Sequence, residues 1–173
     1  MTSPDPVRDA AAYQRSLLDA LGADDPAAAQ ATTPAAIRAL VAEAGPDLRT
    51  RPEPGEWSVL GCLTHIADAE LVMAGRYRWV VAHDEPEIIG YDQDLWVARL
   101  HDGDDPAAML ALFDALRAAN LDFWARTSPA DHARIGRHRE RGEESFDLMF
   151  RMIGGHDRVH LAQARRALAA VRG

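Results

Sequence analysis

Apolar residues recur along this chain at the three- and four-residue spacing of amphipathic helices, and strand-like alternation is scarce. A first segment, Val7 to Leu21, carries Ala11, Leu17, Leu18 and Leu21 and stops at Gly22, before a turn through Asp24-Asp25-Pro26. Thr33-Pro34 reads as an N-cap followed by proline at the first helical position, opening a helix over 34–45 with Ile37, Leu40 and Val41. Beyond the rigid connector Arg51-Pro52-Glu53-Pro54-Gly55, Ser58 caps a helix over 59–82. Its inner stripe is Cys62, His65/Ile66, Ala69, Val72/Met73, Arg76/Tyr77 and Val80. Residues 83–103, rich in Asp, Pro and Gly, read as a long irregular connection whose Tyr91, Leu95 and Trp96 pack down on the helices. Connections this long are usually lids or binding loops. A helix over 106–126 follows, with Met109, Leu112/Phe113, Leu116 and Phe123/Trp124 at helical spacing. After the connector from Thr127 to Glu144, Ser145 caps a final helix over 146–171. Four long amphipathic helices with long connections predict an all-α four-helix bundle. We expect a single domain over 1–173, with residues 1–30 forming an extension whose N-terminal helix packs on the bundle.

The final helix carries the decisive chemistry. His156-Asp157-Arg158-Val159-His160 sets two imidazoles at i and i+4, one above the other on a single face. That face is the apolar one, running Met149, Met152/Ile153, His156, His160, Ala164, Leu168 and Val171. Unpaired imidazoles in a bundle core would cost several kcal/mol, on the order expected for buried polar groups without partners, so they need a shared one. A divalent metal ion is such a partner, and His65, on the inner stripe of its own helix, is the best third ligand. Three imidazoles would leave a zinc-like ion an open position, as in catalytic sites. Zinc is the first choice and nickel the next, since imidazole suits both.

Composition narrows the alternatives. With 19 basic and 27 acidic residues the net charge is −8, which argues against a nucleic-acid partner. All the basic residues are arginine, excluding Schiff-base lysine chemistry and a phosphate-loop lysine. Cys62 is the single cysteine, so no intrachain disulfide and no thiolate-rich zinc site can form, and it reads as a small core residue. No stretch is apolar enough to span a membrane, and Met1 to Pro6 lack the basic and apolar regions of a signal peptide, so a cytoplasmic protein is expected.

Further residues are weaker candidates. Asp68, one turn after His65, either orients an imidazole or makes an exposed ion pair. His138 either approaches the metal mouth from its loop or faces solvent. Asp157 points about 100° away from His156 and reads as a solvated side chain. A hydrolytic reaction would need a general base, for which Glu70, Asp68 and His138 are the candidates. Trp57 and Trp124 read as packing residues. Gly154-Gly155 costs a helix interior about 1 kcal/mol per glycine, and either close approach of another helix or room beside the metal must compensate.

Gly55-Glu56-Trp57-Ser58, then Leu63-Thr64-His65-Ile66-Ala67-Asp68-Ala69-Glu70, and finally Gly155-His156-Asp157-Arg158-Val159-His160-Leu161-Ala162-Gln163 together resemble the DinB-like (YfiT-like) superfamily. The resemblance covers about residues 30–171. It implies a four-helix bundle holding one divalent metal on His65, His156 and His160, and a homodimer. It also implies an enzyme acting on a small-molecule substrate, foremost a thiol-dependent S-transferase that takes bacillithiol or mycothiol as co-substrate and acts on small electrophiles. A metal-stabilised structural or dimerisation module of the stress-inducible type, and a metal-dependent hydrolase, are the alternatives.

Overall fold

The computed structural model describes residues 8–101 and 103–173. The long helices are α2 (Pro26–Ala44), α3 (Val59–Ala82), α5 (Pro106–Arg126) and α7 (Phe146–Arg172), and they form the four-helix bundle. Helix α1 (Ala10–Leu21) lies against α7; Val7, where the sequence places its start, is outside the described residues. A 3-10 turn, Gly45–Arg49, closes α2.

Side-chain caps fix most of these starts. Asp25, Ser58, Asp92, Asp105 and Ser145 each accept a hydrogen bond from a backbone N–H of the first turn. These bonds satisfy donors that a helix N-terminus leaves without intrahelical partners. The start of α2 corrects the sequence reading. The helix opens at Pro26 and runs through Thr33-Pro34, so Pro34 is an interior residue. An interior proline lacks the N–H that would bond the carbonyl four residues earlier. That carbonyl belongs to Gln30, and the Arg117 guanidinium donates to it at 3.1 Å.

The two connections also hold structure that the sequence pattern missed. Residues 83–103 contain β1 (Glu87–Ile88) and α4 (Gln93–Leu100), and the stretch before α7 contains α6 (Pro129–His132), β2 (Ile135–His138) and β3 (Gly142–Ser145). The strands form a sheet in the order β1-β2-β3, parallel between β1 and β2 and antiparallel between β2 and β3. Gly136 lets β2 sit down on the bundle. A Cβ there would fall 2.5 Å from Ile88 and 2.8 Å from Val80.

Two apolar clusters fill the interior. One gathers Ile37, Leu40, Leu63, Ile66, Phe113 and Leu168; the other gathers Met73, Tyr77, Phe123, Phe146, Phe150 and Ile153. Between Phe113 and Phe123 on α5, Arg117 is buried and bonds Glu70 of α3 at 2.8 Å and Asp157 of α7 at 2.7 Å. Asn120 donates to the other oxygen of Glu70, and Thr33 donates to Asp157. Together with the Gln30 carbonyl on α2, these bonds let one side chain tie all four bundle helices. Asp157 is thus 2 % exposed and salt-bridged, where the sequence suggested a solvated residue.

The glycine pair before His156 also finds its reason. A Cβ on Gly155 would lie 1.8 Å from the Leu17 carbonyl oxygen, and one on Gly154 would lie 3.1 Å from the Leu21 side chain. Close approach of α1, rather than space for a metal, demands these glycines.

Candidate metal centre

Helix periodicity delivers three imidazoles to one place. His65 comes from the inner face of α3, and His156 and His160 come from successive turns of α7. All three are buried, and one ligand atom from each lies within 4.8 Å of the others. The Nε2 atoms of His65 and His156 are 2.9 Å apart. A tetrahedral ion with Zn–N bonds of about 2.0–2.1 Å would set its ligand nitrogens about 3.3 Å apart, a separation between these two values.

The chemistry of the donors fits such an ion. The Nδ1 atoms of His65 and His156 are buried without a hydrogen-bond partner. His160 Nδ1 is 2.9 Å from Gln163 Oε1, which can only accept, so this nitrogen carries the proton and Nε2 keeps its lone pair. Burial keeps the rings neutral. His65 and His156 titrate well below the usual histidine range, and each is lowered further by neighbouring histidines. Burial likewise pushes His160 down to about 4, against the opposing hydrogen bond to Gln163. Neutral imidazoles present lone pairs, the form a metal requires.

Trp57, read from sequence as a packing residue, also walls this cluster. Its ring centroid is 5.0 Å from that of His65 and 5.8 Å from that of His160, nearly parallel to the latter. Cys62 is fully buried in the core, and burial raises its thiol to about 12, so it stays protonated. Trp124 stacks between His132 and Phe150.

The remaining candidates go elsewhere. Asp68 does not orient His65; its Oδ2 lies 2.6 Å from His101 Nε2, which ties α3 to the end of α4. Glu70 is committed to Arg117 and Asn120. His138 sits on β2, buried rather than solvent-exposed, with Nδ1 3.1 Å from Glu140. Burial first, then the charge of Arg141, lowers it to about 4. It does not join the three-histidine cluster.

A cavity of about 500 Å³ opens onto His65 and His156. Ala69, Val72, Met73, Met149, Met152 and Ile153 supply apolar lining. The connection after β1 and the first residues of α4 contribute Gly90 to Asp94. Two contributors were not legible in the sequence. Helix α1 supplies Tyr13 and Leu17, and the β2–β3 turn supplies Glu140 and Arg141. Their helices and strands are amphipathic or short, and nothing in their spacing distinguishes cavity from core.

The chain is similar to several known proteins. The family model described as the DinB superfamily matches residues 27–164. A candidate metal-dependent hydrolase of Oceanobacillus iheyensis is 29% identical over 116 residues, covering 66% of this chain and 67% of the relative. Another from Bacillus mycoides is 26% identical over 109 residues, covering 62% of each. The matched segments thus span about two thirds of these relatives' own length. Among solved structures, YfiT from Bacillus subtilis, described as a probable metal-dependent hydrolase with an unusual four-helix bundle topology, superposes with a TM-score of 0.73. It is 19% identical and covers 92% of this chain and 88% of its own, so it shares the fold.

Proposed function

The chain belongs to the DinB superfamily, and from that premise we propose that it is a metal-dependent enzyme whose divalent ion, zinc or nickel, is held by His65, His156 and His160. The observation that carries this reading is the convergence of three buried, neutral imidazoles, two of which, His65 and His156, line a cavity large enough for a small molecule. A bound divalent ion would supply Lewis acidity, making a thiol or a water acidic near neutral pH.

Within this reading, transfer of a low-molecular-weight thiol to a small electrophile is preferred to hydrolysis. Hydrolysis needs a general base beside the attacking water. The candidates are engaged elsewhere: Glu70 with Arg117, Asp68 with His101, and His138 with Glu140, apart from the three-histidine cluster. A thiol made acidic by such an ion would release its proton to solvent, after which its sulfur would attack the electrophilic carbon while the leaving group departs with its electron pair. Ala69, Met73, Met149 and Ile153 give the cavity an apolar side that suits the body of a small organic electrophile. Trp57 restricts the rings of His65 and His160. The hydrolytic alternative is favoured by the descriptions of the relatives. Cytoplasmic location and a homodimer remain part of the proposal; among the described residues no helix is long and apolar enough to cross a membrane.

Zinc-loaded and nickel-loaded protein should be assayed with a panel of thiols and a chlorinated aromatic acceptor, in parallel with activated esters. Thiol-dependent product formation that is lost in His156→Ala supports the transferase. Ester cleavage without thiol, lost in the same variant, supports the hydrolase instead. Neither activity in metal-loaded protein would favour a structural module.

A further inference from the structure

The cavity wall holds a charge that the proposed metal chemistry does not use. Among the described residues two arginines are buried, Arg117 and Arg76. Arg117 has two carboxylate partners. Arg76 is 4 % exposed, yet its hydrogen bonds go to the Ile89 carbonyl at 2.7 Å and, weakly, to the Met73 sulfur at 3.8 Å. No carboxylate of the described residues forms an ion pair with it. The field of Glu144 reaches Arg76, but the oxygens of that carboxylate are bonded by Arg141. A buried cation with no carboxylate in contact is costly, and an arginine fork pairs best with a planar oxyanion. Arg76 lines the same cavity as His65 and His156.

We infer that Arg76 is an anion subsite, and that the small molecule taken by this cavity carries a carboxylate at the end remote from the three histidines. This rests on the metal-centre reading and adds the substrate class. The spacing supports it. His65 and Arg76 are eleven residues apart on α3, about 16 Å along the axis and within about 20° of the same face. The contact with Met73, three residues earlier, shows the Arg76 side chain leaning back toward the His65 end of α3. Ala69, Val72 and Met73 line the cavity along that interval, so an apolar spacer suits it.

The surroundings favour a single negative charge over a dianion. Arg141 also lines the cavity but is committed to Glu144, which is itself fully buried, and Glu140, Asp92 and Asp94 line the same cavity. A phosphate would face these carboxylates with two charges, whereas a carboxylate faces them with one. Tyr13 and Tyr91 complete the wall. Burial raises both phenols, and the fields of Arg76 and Arg141 only partly oppose it, so both hydroxyls stay protonated and able to donate.

The test is calorimetric binding of two probes to zinc-loaded protein: octanohydroxamate, and suberic acid monohydroxamate, the same chain ending in a carboxylate. The hydroxamate reports on the metal centre and the tail on Arg76. The expected result is at least about tenfold tighter binding of the acid-tailed probe. That advantage should vanish in Arg76→Gln and partly return in Arg76→Lys, while octanohydroxamate binds all three proteins alike. Unchanged octanohydroxamate binding also shows that the variants are folded. Equal affinity of the two probes for the parent protein would overturn the anion subsite and leave the metal centre standing. Failure of both probes to bind would overturn the metal centre and this inference with it.

Discussion

Replacing Arg117 by leucine removes the cation that ties the four bundle helices together. The change strands Glu70 and Asp157, which are 1 % and 2 % exposed, and frees the Gln30 carbonyl that Pro34 already deprives of its helical partner. Removing one member of a buried ion pair typically costs about 3–5 kcal/mol, because the remaining charge stays desolvated. Here two carboxylates share one guanidinium, so we expect a loss of about 4 kcal/mol and a melting temperature lower by about 8–16 °C for a chain of this size. The loss should depend on pH, with a definite sign. Burial holds the Glu70 pKa above its ordinary value, and Arg117 is the first of the groups opposing that rise. Without Arg117 the pKa rises further. A carboxyl whose folded pKa exceeds its unfolded value binds more protons in the folded state, so acidification favours folding. The deficit of Arg117→Leu, read from urea unfolding of variant and parent, should therefore be largest near pH 7 and shrink toward pH 5. A loss below about 1 kcal/mol, or one that stays constant across that range, would show that Arg117 does not hold these two carboxylates in the folded core.

Two further outcomes follow from local geometry. Gly155→Ala would drive a methyl into the Leu17 carbonyl, so α1 must shift from α7; faster amide exchange in residues 10–21 should report this, and protection equal to the parent would contradict the contact. The His101 latch should weaken at alkaline pH. Burial lowers the His101 pKa, but the hydrogen bonds and charges of Asp68 and Asp104 outweigh it and the net shift is upward. The latch's contribution, about 1 kcal/mol for a partly exposed pair, is therefore present below the unfolded pKa and lost as pH rises through the folded one. Comparing the stability of His101→Gln with the parent at pH 6 and pH 9 checks this. An equal difference at both values would contradict the assignment.

Much of this architecture is written in local patterns. The stripes of α3, α5 and α7 gave those helices nearly at their observed bounds, because caps at Ser58, Asp105 and Ser145 coincide with the onset of apolar periodicity. His65, His156 and His160 could be singled out because polar rings on an apolar face require a partner. The misreadings all involve long-range compensation. Pro34 reads as a helix start unless Arg117, 83 residues later, is known to occupy the freed carbonyl. Asp157 reads as solvated because angular position on a helix does not reveal a buried arginine on another. The strands, two to four residues long, are too short to show alternation, and their place is set by Gly136 against Ile88 and Val80. Arg76 stood on the inner stripe in plain view, but the spacing does not show that it lines a cavity with no carboxylate in contact.

The most direct measurement is metal content per chain by elemental mass spectrometry, in protein purified without a metal-affinity tag, alongside the single variants His65→Ala, His156→Ala and His160→Ala. About one equivalent of zinc or nickel is expected in the parent and a marked loss in each variant, with the helical circular dichroism retained. A parent that takes up neither ion after dialysis against both, or variants that retain a full equivalent, would contradict the three-histidine metal centre.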